Sequence, residues 1–502
     1  MRAGRRFAPP GASALVESLR GLGYSPGTAL ADIIDNSVAA GATEVNLHFE
    51  WAGEESWITI LDNGRGMTPV ELDSAMRLGD RNPLDARRAE DLGRFGLGLK
   101  TASFSQARRL TVASKAAGSR QDCLRWDLDL LSDPENGGWH LLEGAEAGSQ
   151  LRLEELEGLE APRTGTIVLL EKLDRMVTPG FTSDHFLELI GIVDRHLGMT
   201  FHRYLTGPQP RLQLRINRLA IKPWDPFMRG NPGKPWIKPA VSLPCQSPVI
   251  VECHVLPHKD KLSVLEHEIA AGVQGWNSGQ GFYVYRNERL IVAGSWLGLG
   301  AGRQWTKDEA HRLARIRLDI TNESDAAWKL DIRKSSAHPP VELRRALTRL
   351  AEETRSRARQ VFAHRGRTAS SQIGEPVEFA WEASKSSRGT RYNISRAHAA
   401  VQGVLENYPE ARAQVELMLK IIEETVPVQR IWLDTAEDKE TPLTAFAGEP
   451  DVEVLKVLQA MYESLVKRRG MHPEDARRRL GRTEPFDRYP ALVAALPDQR
   501  ED

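Results

Sequence analysis

Apolar and polar positions repeat with changing periods along the chain, and the changes mark its elements. In "LADIIDNSVAAGATEV", residues 30–45, Leu30, Ile33, Ile34, Ser37 and Val38 fall on one side of a helix. Asp32, Asp35 and Asn36 fall on another side, spaced i, i+3, i+4. Ser25 and Pro26 give a start signal and Gly41 a stop. The period then drops to two. "EVNLHFEW" sets Val45, Leu47 and Phe49 against Asn46, His48 and Glu50, and "SWITILD" is a shorter buried run, so a hairpin turning at 52–55 is expected. Residues 71–78 read as helix, 79–92 as a polar loop, and "RLTVASK", "CLRWDLDLL" and "TGTIVLLEKL" as strands. From 178 the style changes to the amphipathic helix "SDHFLELIGIVDRHLGMTF", then loops and strands such as "PVIVECHVLP", "QGFYVYRNERLIVAG" and "IRLDIT". The expected organisation is a first domain at 1–177, a second α+β domain at 178–338, a long helix at 339–363, a Ser/Gly/Arg-rich linker at 364–390, and a helical region at 391–502.

Composition narrows this picture little. The 502 residues suffice for two to four domains, with 41% apolar and 27% charged residues. A net charge of −1 does not advertise a polyanion partner for the whole molecule, so local charge matters. Three cysteines make neither a disulfide framework nor a zinc pattern. No apolar run reaches the roughly 18 residues of a membrane helix, and the basic N-terminus lacks a hydrophobic segment. A soluble, cytoplasmic protein without a membrane partner is expected.

Four stretches carry candidate chemistry. The first is the acid–amide stripe on the helix at 30–45. The second is "ILDNGRGM", an acid at a strand end followed by glycines at 64 and 66; alone it also reads as a plain turn. The third is "GRFGLGLKTASF", where Gly93, Gly96 and Gly98 lead into a helix whose first N–H groups can face an anion, with Lys100 adding charge. Its spacing is neither the dinucleotide fingerprint nor the Walker pattern. The fourth is Gly165–Thr166 opening an apolar strand, which alone is an ordinary turn.

In this order, within about 140 residues, the four closely resemble the GHKL ATPase superfamily, which includes gyrase B, MutL, heat-shock chaperone ATPases, histidine kinases and MORC proteins. The resemblance implies an α+β fold, with a helix layer on a mostly antiparallel sheet and ATP bound beneath a lid. It places Asn36 on magnesium and Asp62 on the adenine amino group. Gly64, Gly66 and Met67 would shape the adenine pocket, and Thr166 would support Asp62. Gly93, Gly96, Gly98 and Lys100 would wrap the phosphates. Asp32, four residues before Asn36 on the same face, matches the general base, with Asp35 as rival. The family's base is commonly Glu. Asp is one methylene shorter, and misplacement of that order can cost ~100-fold, so slow hydrolysis is expected. Ala39 stands where an acid is common.

"GFYVYRNERLIVAGSWLGL" and "WKLDIRKSSAHPP" resemble a MORC- or MutL-type transducer domain of the ribosomal-protein-like kind. Lys334 is the candidate lysine for the γ-phosphate, with Lys329 and Arg333 as rivals. Residues 341–370 hold eight arginines against three glutamates, and "VKRRG" and "ARRRLGR" follow later. Such clusters suit nucleic-acid phosphates or, as plainly, a solvated helix face. The resemblance therefore implies an ATP- and Mg2+-dependent ATPase that dimerises on ATP, with DNA and a nuclease or other antiphage defence protein as possible partners. A chaperone-like protein-binding switch and a slow nucleotide sensor are the alternatives.

Overall fold

Helix α1 (Ala12–Arg20) is followed by Ser25, whose side chain accepts from the Thr28 N–H and so caps α2 (Pro26–Ala39), with Pro26 in its first turn. Gly41, at φ +76°, lets the chain leave the helix as the stop signal predicts. The expected hairpin follows: β1 (Glu44–Glu50) and β2 (Trp57–Asp62) pair antiparallel, with Val45 opposite Asp62. The computed structural model describes residues 10–79, 98–133, 135, 137–156, 164–245, 247–272, 275–321, 324, 327–330, 336–363, 378–386, 389–429, 431 and 452–497.

The chain divides into two compact units, residues 1–366 and 367–502. In the first unit α3 (Pro69–Met76), α4 (Gly98–Phe104), β3 (Arg109–Lys115) and β4 (Asp122–Asp127) come next. The strand expected over "CLRWDLDLL" stops at Asp127, because its carboxylate accepts from the Asp129 N–H and caps the single turn α5 (Leu128–Leu131). Then come β5 (Leu142–Glu143), β6 (Gly165–Glu171), α6 (Ser183–Thr200), α7 (His202–Leu205), β7 (Gln213–Ile216) and β8 (Leu219–Ala220). They build one sheet in the order β5-β4-β3-β6-β2-β1-β7-β8, antiparallel throughout except for β1 against β7. Strand periodicity splits β6 between two faces. Val168 and Leu170 enter the main core with Leu30, Ile34 and Phe104, while Ile167 and Leu169 join Ala113 and Leu153 in a smaller cluster.

That core does not end at 177. Phe186, Val193, Leu197 and Phe201 of the following segment are buried in it, as are Leu214 and Ile216 of β7. Phe186, Val193 and Leu197 of α6 join the α2 core, while Met199 at its far end packs with Tyr283, Tyr285 and Leu290 of the second sheet, so the first core runs to Ile221 and the expected boundary at 177 moves with it.

The second sheet contains β9 (Trp236–Leu243), β10 (Val249–Val255), β11 (Gly281–Arg286), β12 (Arg289–Ser295) and β13 (Ala314–Ile320), ordered β12-β11-β13-β10-β9. Helix α8 (Val264–Ala271) and the single turn α9 (Gly275–Ser278) lie between β10 and β11. The long helix α10 (Val341–Ala363) buries Leu343, Leu347, Leu350 and Ala351 against Phe282, Ile316 and Leu318. The architecture is thus α+β, as expected.

In the second unit a hairpin, β14 (Trp381–Ser386) with β15 (Gly389–Ile394), occupies part of the expected linker and the start of the expected helical region. Helices over 399–407, 412–424, 452–463 and 473–480 follow. Leu458, Leu465, Ala476, Leu480 and Phe486 form a core within residues 458–496. No helix among the described residues is long and apolar enough to cross a membrane.

The extended first core has a direct test. A fragment ending at residue 177 uncovers α2 and the β1 edge and is expected to show no cooperative thermal transition by circular dichroism. A fragment ending at 225 is expected to melt cooperatively; equal behaviour of the two would return the boundary to 177.

Candidate functional site

Helix α2 is apolar by stripe, yet Asp32 and Asp35 are 4% and 2% exposed. Burial of two carboxylates requires partners, and one side chain serves both. The Arg289 guanidinium, itself 3% exposed, donates from Nε to Asp35 Oδ1 at 3.1 Å and from Nη2 to Asp32 Oδ1 at 3.2 Å. Its Nη1 donates to the Leu290 carbonyl at 2.9 Å. Tyr24 donates its hydroxyl to the second Asp32 oxygen at 3.0 Å. Nearby His196 is held down to about pKa 4 by burial and by Arg289, so at neutral pH it adds no competing charge.

Arg289 begins β12 straight after a two-residue turn. Asn287 and Glu288 have φ of +48° and +68°, the left-handed pair that closes a tight hairpin. The hairpin tip of the second sheet thereby presents a cation to a helix of the first. Nothing in the sequence around this turn marks Arg289 for a role.

Asn36, one turn beyond Asp32, is exposed. Its Nδ2 donates to the Asp32 carbonyl at 3.1 Å, which leaves the amide oxygen outward. Ser37 is buried and donates to Asp62 Oδ2 at 2.8 Å. This hydroxyl, counted with the apolar side in the sequence, joins the acid–amide helix to the acid at the end of β2. Its signal was a lone hydroxyl in an apolar stripe.

Asp62 is 6% exposed, and Oδ1 accepts from the Gly64 N–H at 2.9 Å. Burial pushes its carboxyl above the ordinary 3.8, opposed by Gly64, Ser37 and the Thr166 backbone. The turn after it is sterically fixed. A Cβ at Gly64 would sit 2.9 Å from Ala40 Cβ. At Gly66, with φ +66°, it would sit 1.9 Å from the Lys115 carbonyl oxygen. The Met67 N–H donates to Ser114 Oγ at 2.9 Å, and Ser114 shares a 2.8 Å hydrogen bond with the Thr166 hydroxyl. The Thr166 side chain therefore supports the turn through Ser114, while Ser37 supports the Asp62 carboxylate directly. Thr68 and Glu71 close a capping box for α3, which brings Glu71 down to about pKa 2, chiefly through the Thr68 N–H.

Lys100 is 3% exposed and donates to the Ala75 carbonyl at 2.8 Å, in the last turn of α3, where the helix dipole favours a cation. It is thus turned to α3. Gly98 begins α4. Gly93, Gly96, Arg333 and Lys334 lie outside the described residues. Lys329 is described and exposed, at φ +48°.

The arrangement thus joins the turn of Asp62, Gly64, Gly66 and Met67 to Thr166 of β6 through hydrogen bonds. Asp32 and Asn36 lie on the helix that Ser37 ties to it. Among the described residues no cluster of three His, Cys, Asp or Glu side chains could hold a metal. A cation there would depend on a single amide oxygen and its ligand's own oxygens, which suits magnesium carried by phosphates.

Residues 24–155 match the family described as histidine kinase-, DNA gyrase B- and HSP90-like ATPases. The chain is 30% identical over 93 residues to the ATPase morc-1 of Caenorhabditis elegans, covering 18% of this chain and 10% of that protein. It is also 30% identical over 95 residues to the DNA mismatch repair protein MutL of Rhodospirillum rubrum, covering 19% and 15%. MutL of Sinorhizobium fredii matches at 29% over 97 residues, 19% and 16%. The matched stretch is therefore a small part of each relative.

Asp62 yields a signed prediction. Folding raises its pKa, so the stability it contributes to the nucleotide-free protein is present below about pH 4 and is lost as pH rises through the folded value. Asp62→Asn is expected to be at least as stable as wild type at pH 7 by urea unfolding, with an advantage that grows from pH 4 upward. Its affinity for an adenine nucleotide is expected to fall at least ~10-fold, the scale of one charged hydrogen bond. A variant less stable than wild type at pH 7 would show that the carboxylate is structural.

Proposed function

We propose that this chain, which belongs to the GHKL ATPase superfamily through residues 24–155, binds ATP with magnesium between α2, the Asp62 turn and α4, and hydrolyses it slowly. The observation that carries this reading is the Asp62 carboxylate. Three donors use three of its roughly four acceptor positions. The remaining one suits the exocyclic amine of adenine, and Gly64 and Gly66, which admit no side chain, fix the turn that presents it.

Asn36 would hold magnesium through its outward amide oxygen; the ion, when bound, neutralises phosphate charge. Asp32, one helical turn away, accepts the proton of the attacking water. Phosphoryl transfer asks the protein mainly for positioning, and Tyr24 and Arg289 supply it by holding both Asp32 oxygens. The short Asp side chain favours slow turnover and lends weight to a second reading as a nucleotide sensor.

Beyond the site, we infer an ATP-gated homodimeric clamp on DNA, working with a nuclease or other protein in bacterial antiphage defence. Support comes from the likeness to MORC and MutL proteins and from exposed Arg345, Arg349, Arg357 and Arg359 on α10. The later "ARRRLGR" cluster supports it less. Arg477 donates to the Leu496 carbonyl, Arg478 pairs with Asp475, and Arg479 donates to Gln402.

Phosphate release from Asp32→Asn is expected to fall by ~100-fold or more, within the general-base range, with ATP affinity nearly unchanged in a fluorescent-nucleotide titration. An equal rate would remove Asp32 from the chemistry. In a DNA shift assay with ATP at about 50 mM salt, Arg345→Glu with Arg349→Glu is expected to weaken retention and flatten its salt dependence. No shift by the wild type would favour a protein-binding switch instead.

A further inference from the structure

One strand of the second sheet enters the candidate site. Arg289 leaves the Asn287–Glu288 turn as the first residue of β12 and meets α2 side-on, with its whole guanidinium buried. Its fork spans two carboxylates one helical turn apart. Nε faces Asp35 and Nη2 faces Asp32, at 3.1 and 3.2 Å. A planar fork can serve both at fixed angles, which a lysine ammonium cannot.

The two acids are not equivalent. Asp35 is adequate by itself as counter-ion for a buried arginine. With Asp35 paired to Arg289, the Asp32 carboxylate is held at both oxygens, Oδ1 by Arg289 and Oδ2 by Tyr24. A carboxylate gripped from two directions has one orientation.

Resting on the reading of Asp32 as the base, we propose that Arg289 is a positioning residue for ATP hydrolysis, fixing the Asp32 carboxylate and tying its orientation to the hairpin of the second sheet. Asp35 is its standing counter-ion. Movement of that hairpin against α2 therefore changes the aim of the base without touching the adenine turn, so the second sheet controls turnover and not affinity.

The test is a double-mutant cycle in the full chain, reading kcat and KM for ATP beside nucleotide affinity. Arg289→Gln is expected to lower kcat by about 100-fold, the scale of a 1 Å misplacement, with KM and affinity within about threefold of wild type. Arg289→Lys is expected to recover part of the loss. In the Asp32→Asn background, Arg289→Gln is expected to add no further loss, because it acts through Asp32. A kcat for Arg289→Gln within twofold of wild type, or a loss that multiplies that of Asp32→Asn, overturns the proposal. If Arg289→Gln fails to fold by circular dichroism, the same cycle is read on Arg289→Lys, with the same two outcomes decisive. Asp32→Asn hydrolysing at the wild-type rate while Arg289→Gln is slow would overturn the base assignment instead.

Discussion

The buried bridge between Arg289 and the two α2 aspartates is the contact on which the first unit turns. Leaving water costs each ion several kcal/mol, and removing one partner of such a group typically costs about 3–5 kcal/mol. Two acids in the middle of an apolar helix are tolerable only because a hairpin built more than 240 residues later delivers a cation to them. The helix and the second sheet are consequently not independent parts. A helix that carries both the exposed Asn36 amide and the neighbouring Asp32 carboxylate is held by a strand outside the sheet it rests on.

Much of this was legible in the sequence, and the reasons differ by element. Ser25–Pro26 and Gly41 bounded α2 because caps and φ requirements are local chemistry. The β1–β2 hairpin followed from period-two alternation. The extent of the first core did not, because an amphipathic helix shows that it has an apolar face and not which surface receives it; α6 sends Phe186, Val193 and Leu197 into the α2 core and Met199 to the second sheet. The hairpin at 381–394 was hidden in a stretch whose Ser and Arg content resembles a linker. The Asp62 turn was readable because two glycines are required there for steric reasons. Ser37 and Arg289 were not, since both act across the fold on residues far away in the chain.

Arginine-rich stretches show how composition misleads without geometry. In "ARRRLGR" Arg477, Arg478 and Arg479 reach a carbonyl, a carboxylate and an amide of their own unit. On α10 they divide by helical phase. Arg344 and Arg355 turn to Gly298 and Asp308, while Arg345, Arg349, Arg357 and Arg359 face solvent. Only the second group is in a position to attract an anion.

The pairing of β1 with β7 has a consequence for how the molecule comes into being. Glu44–Leu47 lie parallel to Gln213–Ile216, so closing this ladder waits for a segment made some 170 residues later. Contacts of such sequence separation form late and slowly. On a ribosome, α2 and the β1–β2 hairpin would stand with an open edge and an uncovered face until residue 216 had emerged, and the nascent chain would depend during that interval on whatever shields them.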